Sequence, residues 1–257
     1  MDVHTTNYTL CAMEPIIGED DRVFATIKVT PDYKNILMFI ENLKMKLGLN
    51  DEYDIQCGYE AGCLGYSLYN QLTAAGVKCV ILAPTTMLTP QGVRIKTDMR
   101  DAYMIAQCLS YGGYHVVYIP TETDDSVKEY LRMRNDHKLA LKKIKQQINA
   151  FCIRHGCCYD GTKWTLAHLK WLKKLEITNE LYRETLDEYM ASYEEQETKI
   201  ERYDKRIEEI AEQTKYHDKV KKLECFLGIK THTALSLIVE TGDFERFAKG
   251  NQYAAYL

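Results

Sequence analysis

Four acidic residues in the first half of the chain have the types and spacing of metal-binding carboxylates. Asp2 begins a strand-like segment, and Glu60 closes the strand-like string DIQCGY. Asp98 and Asp101 are three residues apart in KTDMRDA, so they share one face of a helix. Two like charges on one face repel unless a cation lies between them, and carboxylate oxygens suit Mg2+ or Mn2+. Carboxylates that converge at one sheet edge can hold two such ions for in-line attack on a phosphodiester.

Each of these acids also has an ordinary structural explanation. An Asp near a terminus is commonly just solvated. Asp98 is a candidate N-cap of its helix, with Thr97 as a competitor for that position. Asp101 is a candidate first-turn acid that complements the helix dipole. Spacing alone therefore leaves both interpretations open.

The elements that must position these acids alternate along the first 120 residues. β-Branched and aromatic enrichment predicts strands, and apolar residues at helical period predict helices. The predicted strands cover residues 7–13, 22–29, 54–59, 78–83 and 115–119, and the predicted helices cover 33–47, 65–75 and 98–109. Such an order indicates an α/β fold in which a mixed sheet is covered by helices.

The second half is predicted to be helical. Helices are expected over residues 126–155, with Asp125 as N-cap, over 164–175, and over 179–222, where Gly and Pro are absent. A heptad seam runs through the last of these: Tyr182, Leu186, Tyr189, Tyr193, Gln196, Ile200, Tyr203, Ile207, Ile210 and Thr214. The seam favours a coiled coil that pairs with another subunit or folds back. The alternative is one amphipathic helix packed within its own chain.

Charge is unevenly distributed along this half. The chain of 257 residues carries a net charge of −4, but residues 128–174 are strongly basic and the heptad helix after them is acidic. The basic stretch is a candidate phosphate-binding surface, and a solvated helix face is the alternative. Its candidate nucleic-acid-binding residues are Arg132, Arg134, Lys138, Lys142 and Lys145.

The sequence also indicates where in the cell the protein is expected to be. No run approaches the roughly 18 apolar residues that cross a bilayer, and the first residues lack a secretory signal pattern. We therefore expect no membrane association, a cytoplasmic location, and reduced thiols for the nine cysteines. The dense group Cys152, His155, Cys157 and Cys158 lacks a second pair at zinc-site spacing, so these cysteines are interpreted as small buried hydrophobes.

Four strings carry a resemblance to a known family. DVHTTNYTLC at 2–11, YEAGCLGYSLYNQL at 59–72, CVILAP at 79–84 and KTDMRDAYMIA at 96–106 resemble the insertion-sequence-110 group of DEDD transposases. The resemblance continues through the basic segment 132–156, and residues 227–257 resemble the start of that family's C-terminal transposase domain.

The resemblance implies a RuvC-like, RNase H-like catalytic domain over 1–123 that holds Mg2+ or Mn2+ through Asp2, Glu60, Asp98 and Asp101. It implies a basic nucleic-acid-binding region over 124–177, a coiled coil over 178–222, and the opening of the C-terminal domain over 223–257. The implied function is strand cleavage or exchange by a prokaryotic, nucleoid-associated transposase. The implied partners are DNA of the element ends and of the target, a guide RNA, and further copies of the chain bound through the coiled coil.

Three departures from the family pattern keep alternatives open. Only Met1 precedes the first Asp, no serine matches the family's nucleophile motif, and Gly228-Ile229-Lys230 replaces G-I-G, which argues against a tight hairpin there. We therefore expect a truncated transposase. The alternatives are a stand-alone RuvC-like junction nuclease and a non-catalytic nucleic-acid-binding remnant.

Overall fold

The chain divides into two units, Met1–Ile119 and Pro120–Leu257. The structure is a computed structural model that describes residues 1–16, 18–48, 54–87 and 97–256. Lys96, the first residue of the KTDMRDA string, lies outside these residues.

The first unit contains the predicted strands and helices with one exception. Its elements are β1 (Asp2–Val3), β2 (Tyr8–Glu14), β3 (Arg22–Val29), α1 (Tyr33–Leu47), β4 (Gln56–Glu60), α2 (Ser67–Ala74), β5 (Lys78–Leu82) and α3 (Asp98–Tyr111). The predicted strand at 115–119 is wrong: the segment makes one isolated antiparallel bridge, between Val116 and Leu82. Hydrogen bonds at Ala83 and Val117 flank that bridge, so the contact is too short to count as a strand.

The expected single mixed sheet is instead two small sheets. Strands β1, β2 and β3 form an antiparallel sheet, and β4 and β5 form a parallel pair. The Met1 nitrogen donates a hydrogen bond of 2.8 Å to the Gly58 carbonyl, which brings the start of β1 beside β4. The α/β class is confirmed.

Helices cover both faces of these strands. Met1, Tyr8, Leu10 and Tyr59 form the main core with Ile36 and Ile40 of α1. On the other face, Leu82 packs with Ile105 and Cys108 of α3. Gly58 lies under α3, where an added Cβ would come within 3.2 Å of the Leu109 side chain of that helix. Helix α3 is thereby held close to the strands that carry Asp2 and Glu60.

Every regular element that the structure describes in the second unit is a helix. These are α4 (Glu122–Arg154), α5 (Leu166–Lys174), α6 (Glu180–Ala211), α7 (His217–Glu224), α8 (Thr231–Thr241) and α9 (Gly250–Tyr256). The expected N-cap Asp125 is wrong, because Thr121 caps α4 through a bond from the Asp124 N–H. A tight turn lies at Gly228, between α7 and α8. Gly228 adopts φ +87°, and the Ile229 N–H donates to the Phe226 carbonyl at 3.1 Å.

The heptad seam packs against α4 of the same chain. Leu186 and Tyr193 join Ile148 and Phe151 in one core. Further along, Ile207 and Ile210 of α6 pack with Val127 and Leu131 of α4. Helix α6 ends at Ala211, three residues before Thr214, and a turn separates it from α7. The seam is occupied within the chain, and the predicted homo-oligomer gains no support from it.

A buried acid fixes the start of α4. The Asp124 carboxylate accepts hydrogen bonds from the Thr121 hydroxyl (2.7 Å) and the Tyr216 hydroxyl (2.7 Å), and it pairs with the Lys215 ammonium at 2.8 Å. Burial acts to raise the pKa of Asp124, but the bonds from Lys215, Tyr216 and Thr121 outweigh burial and lower it. A carboxylate with a lowered pKa stabilises the folded state above its unfolded pKa, near 4, and this contribution is lost as the pH falls through the lowered value.

We therefore expect Asp124→Asn to lower the free energy of unfolding at pH 7 by about 1–3 kcal/mol. The difference from the wild-type chain should shrink as the pH falls from about 4 toward the lowered folded-state pKa, because the wild-type carboxylate is protonated first in the unfolded chain and then in the folded one. Urea denaturation followed by circular dichroism from pH 7 to pH 3 measures both. The neighbouring Asp125→Asn is the matched control and should show no such convergence. A deficit for Asp124→Asn that is the same at every pH would contradict the assignment.

No helix among the described residues combines the length and hydropathy that a membrane span requires.

Candidate metal centre

Strand β1 turns Asp2 away from the main core. Met1 and Val3 pack in that core, and successive strand side chains point to opposite faces, so Asp2 lies on the α3 side. His4, two residues further on, returns to the same face. Its Nε2 atom lies 3.2 Å from the Asp2 Oδ2 atom.

Helix α3 begins beside this strand with its acids in the first turn. Thr97 is the N-cap, since its hydroxyl accepts a hydrogen bond of 3.4 Å from the Arg100 N–H. Asp98 is therefore the first helical residue and does not cap the helix. Asp98 and Asp101 both belong to the first turn, where the helix dipole favours negative charge.

Asp2, His4 and Asp98 form one potential ligand group. A carboxylate oxygen of each Asp and an imidazole nitrogen of His4 all lie within 4.8 Å of one another. Over the described residues, this is the one group of three or more His, Cys, Asp or Glu side chains with that spacing. The Asp2 Oδ2 atom is buried, and it lies 3.2 Å from the His4 Nε2 atom without accepting a well-aligned hydrogen bond from the described residues. A buried carboxylate oxygen without a donor is rare, and a bound cation is one way to satisfy it.

A polar row crosses the antiparallel sheet at this point. Asp2 is opposite Thr9 on β2, and Thr9 is opposite Lys28 on β3, so the three side chains share the α3 face. Thr9 is 0% exposed, and its hydroxyl has no hydrogen-bond partner. The Lys28 ammonium reaches Asp98 at 2.7 Å. Two unpartnered buried oxygens thus lie in one row beside the ligand group.

The pKa values of Asp2 and Asp98 are shifted in opposite directions by their surroundings. Burial raises the pKa of Asp2; the neighbouring His4 opposes this rise, and the charges of Asp101 and Asp98 add to it. The hydrogen bond and the charge of Lys28 hold the pKa of Asp98 below its usual range. Asp2 is thus the acid whose charged form most needs a positive neighbour.

Two of the four predicted acids lie outside the ligand group. Glu60 ends β4 on the same face as Gly58, toward α3, but its side chain is exposed and it makes no ion pair within the described parts of the chain. The charge of Asp101 acts on Asp2, yet its oxygens lie beyond the 4.8 Å spacing. The assignment of all four as one tetrad stays a prediction. His4 was missed, although its place two residues after Asp2 on a strand was a signal that could have found it.

The predicted nucleic-acid-binding residues fall into two groups. The buried Arg134 guanidinium binds both oxygens of Asp204 on α6, at 2.7 and 3.0 Å. Lys145 pairs with Glu197 at 3.0 Å and lies over the Trp164 ring. These two residues hold α4 against α6.

The remaining three predicted residues are exposed. Arg132 pairs with Glu129 at 2.7 Å and with Glu240 at 3.4 Å. Lys138 and Lys142 make no ion pair within residues 97–256. The exposed Lys143 lies next to Lys142, and the three lysines leave a positive charge on the outer face of α4.

Comparison of the sequence with known proteins finds relatives that match most of the chain. The chain is 33% identical over 253 residues to the transposase for insertion sequence element IS1533 of Leptospira borgpetersenii, covering 97% of this chain and 71% of that protein. It is 29% identical over 200 residues to y4qE of Sinorhizobium fredii, a protein named as a transposase, covering 77% of this chain and 48% of that protein. No protein-family model matches the chain.

Proposed function

This chain belongs to the transposases of insertion sequence elements, and from that membership we propose that its first unit cleaves or exchanges DNA strands with a divalent cation. The observation that carries the proposal is the meeting of Asp2 from β1 and Asp98 from α3, where the buried Asp2 oxygen accepts no well-aligned hydrogen bond. The finer assignment to the insertion-sequence-110 group rests on the four sequence strings, in which both residues occur.

The residues fit a divalent cation. Asp2 and Asp98 supply oxygen ligands from two elements, and the buried Asp2 oxygen has only the imidazole of His4 beside it, at 3.2 Å. Glu60 and Asp101 lie on the same side of the strands and would complete the predicted tetrad. A bound Mg2+ or Mn2+ would supply activation of the attacking oxygen and stabilisation of the leaving oxygen at a phosphodiester.

The chain itself performs the positioning. Thr97 fixes the first turn of α3, and the Met1–Gly58 bond fixes β1 beside β4. Lys28 neutralises Asp98 when no other cation is near, and its ammonium is well placed to attract a phosphate. The ammonium of Lys28 thereby reduces the repulsion between the carboxylates of Asp98 and Asp2.

The strand order supports an RNase H-like assignment for this unit. Following the hydrogen bonds gives β3, β2 and β1 antiparallel, and the Met1–Gly58 bond then leads to β4 and the parallel β5. Helix α1 covers one face of these strands and α3 the other. That arrangement places β1 at the centre, with its first acid beside the start of α3.

A cleavage assay tests this function. The chain is incubated with DNA from the ends of its element, and separately with branched DNA, in the presence of Mg2+ or Mn2+. Nicked or joined element-end DNA supports the transposase. Cleavage of branched DNA alone favours a junction nuclease of the same fold, and no cleavage of either substrate with either metal overturns a catalytic role for this chain.

The outer face of α4 is the proposed nucleic-acid surface. Lys138 and Lys142 are four residues apart and share one helix face, with Lys143 beside them. Unpaired lysines bind phosphate without dismantling the fold, whereas Arg134 and Lys145 are engaged with α6. DNA and the guide RNA implied by the family resemblance are the candidate ligands.

We expect the triple change of Lys138, Lys142 and Lys143 to Ala to lower affinity for duplex DNA roughly tenfold at moderate salt. The slope of log affinity against log salt concentration should fall by roughly 2 to 3, because each lysine releases about one counterion. Fluorescence anisotropy over a salt series measures both. The triple change of Lys205, Lys219 and Lys222 to Ala, exposed lysines of α6 and α7, is the control. Equal losses for both triple variants would contradict a specific surface on α4.

A further inference from the structure

The geometry points to His4 as a third protein ligand of the cation, one that makes the site favour a transition-metal dication such as Mn2+ over Mg2+. This inference rests on the proposed metal function and adds a residue outside the predicted tetrad. Mg2+ takes oxygen ligands almost exclusively, whereas first-row transition ions also accept imidazole nitrogen.

The ligand spacing suits one ion. The His4 Nε2 atom lies 3.2 Å from the Asp2 Oδ2 atom. Two neighbouring ligands that each bind an octahedral ion at about 2.1 Å are separated by about 3 Å. Asp98 places an oxygen within 4.8 Å of both atoms, so one ion between the three side chains needs only small side-chain movements.

A second observation at the same place also indicates a ligand. The fully buried Thr9 hydroxyl has no partner and shares the face and cross-strand position of Asp2. Hydroxyl groups in this position commonly bind a metal-bound water or a ligating carboxylate, which orients the inner ligands. A single bound ion and its water would then satisfy both the Thr9 hydroxyl and the Asp2 oxygen, which accepts no well-aligned hydrogen bond.

The backbone holds His4 in place. Its N–H donates to the Asn7 carbonyl at 2.9 Å, which closes the turn between β1 and β2. The imidazole remains half exposed, with 52% of its side-chain surface accessible, so an ion from solvent can reach it.

Metal titration of the full chain tests the inference. Mn2+ binding is followed by the loss of the electron paramagnetic resonance signal of free Mn2+, and Mg2+ binding by its displacement of Mn2+. His4→Ala should weaken Mn2+ binding roughly tenfold or more and Mg2+ binding less than twofold. His4→Asp, which restores an oxygen ligand, should shift the preference toward Mg2+. His217→Ala is the matched control, since His217 also lies beside a carboxylate, Asp218, at 3.0 Å.

Asp98→Asn separates the two possible failures. Unchanged Mn2+ affinity in His4→Ala, together with lost affinity in Asp98→Asn, overturns the role of His4 and leaves the metal site standing. Unchanged affinity in Asp98→Asn, or no Mn2+ binding by the wild-type chain, overturns the metal site and the proposed function with it. Equal weakening of Mn2+ and Mg2+ by His4→Ala overturns the claimed preference.

Discussion

Asp98→Asn should reduce DNA cleavage by the chain roughly 100-fold or more, because it removes a charged ligand from the cation that stabilises the reacting oxygens. Asparagine has nearly the same shape as aspartate, so the substitution removes the charge and little else. The helix should still begin at the same residue, since Thr97 and not Asp98 is the N-cap. Initial rates of cleavage with saturating Mg2+ or Mn2+ measure the effect, and circular dichroism checks that the helix content is retained.

Asp54→Asn is the matched control for this prediction. Asp54 also pairs with a lysine on the surface of the first unit, Lys78, at 2.6 Å, as Asp98 pairs with Lys28. It lies outside the ligand group, so its loss should leave the cleavage rate within about twofold, as expected for a solvated surface pair. Equal activity in Asp98→Asn and Asp54→Asn would show that Asp98 holds no essential cation.

Local sequence signals predicted most elements of the first unit. The helix over 33–47 was predicted from the helical period of its apolar residues, with the bounds that the structure shows. In the structure, Asp32 caps its start and Gly48 its end. The strand over 115–119 failed because its pattern is local, whereas a strand needs a partner along its length. Only Val116 finds one. The residue pattern within one segment does not show whether another strand lies beside it to pair with.

The candidate site shows the same limit. The i, i+3 spacing correctly placed Asp98 and Asp101 on one turn. The cross-strand row of Asp2, Thr9 and Lys28 depends on register, which no single strand reveals. Lys28 was missed as a neighbour of the acids for that reason, whereas the position of His4, two residues after Asp2, was visible in the sequence.

The charge pattern of the second unit was informative in a different way. A basic helix followed by an acidic one was interpreted as a nucleic-acid surface and a coiled coil that pairs with another subunit or folds back. The two helices pack on each other within the chain, so part of the basic charge serves that packing, as Arg134 with Asp204 shows. Opposite charge on consecutive amphipathic helices is therefore itself a signal for a fold-back, and only the lysines left outside the pairing remain available to phosphate.

Leu186→Ala should lower the free energy of unfolding of the second unit by about 2–5 kcal/mol, the usual range for a buried leucine that leaves a cavity. Leu186 is 0% exposed, and it packs with Ile148 of α4 in the core of the helix pair. Urea denaturation followed by circular dichroism at 222 nm measures the loss. Because the seam partner belongs to the same chain, the wild-type midpoint should not depend on protein concentration.

Leu181→Ala is the matched control on the same helix. Leu181 is 70% exposed, so its loss should change the free energy of unfolding by no more than about 0.5 kcal/mol. The concentration series then decides which partner the seam has. If the wild-type midpoint rises with protein concentration and Leu186→Ala abolishes that rise, the seam joins two chains, since only an intermolecular contact is strengthened by mass action. The other outcome is that neither the wild-type nor the Leu186→Ala midpoint depends on protein concentration, while Leu186→Ala is destabilised and Leu181→Ala is not. The heptad residues then pack on α4 of the same chain, and any assembly of transposase subunits must use another surface.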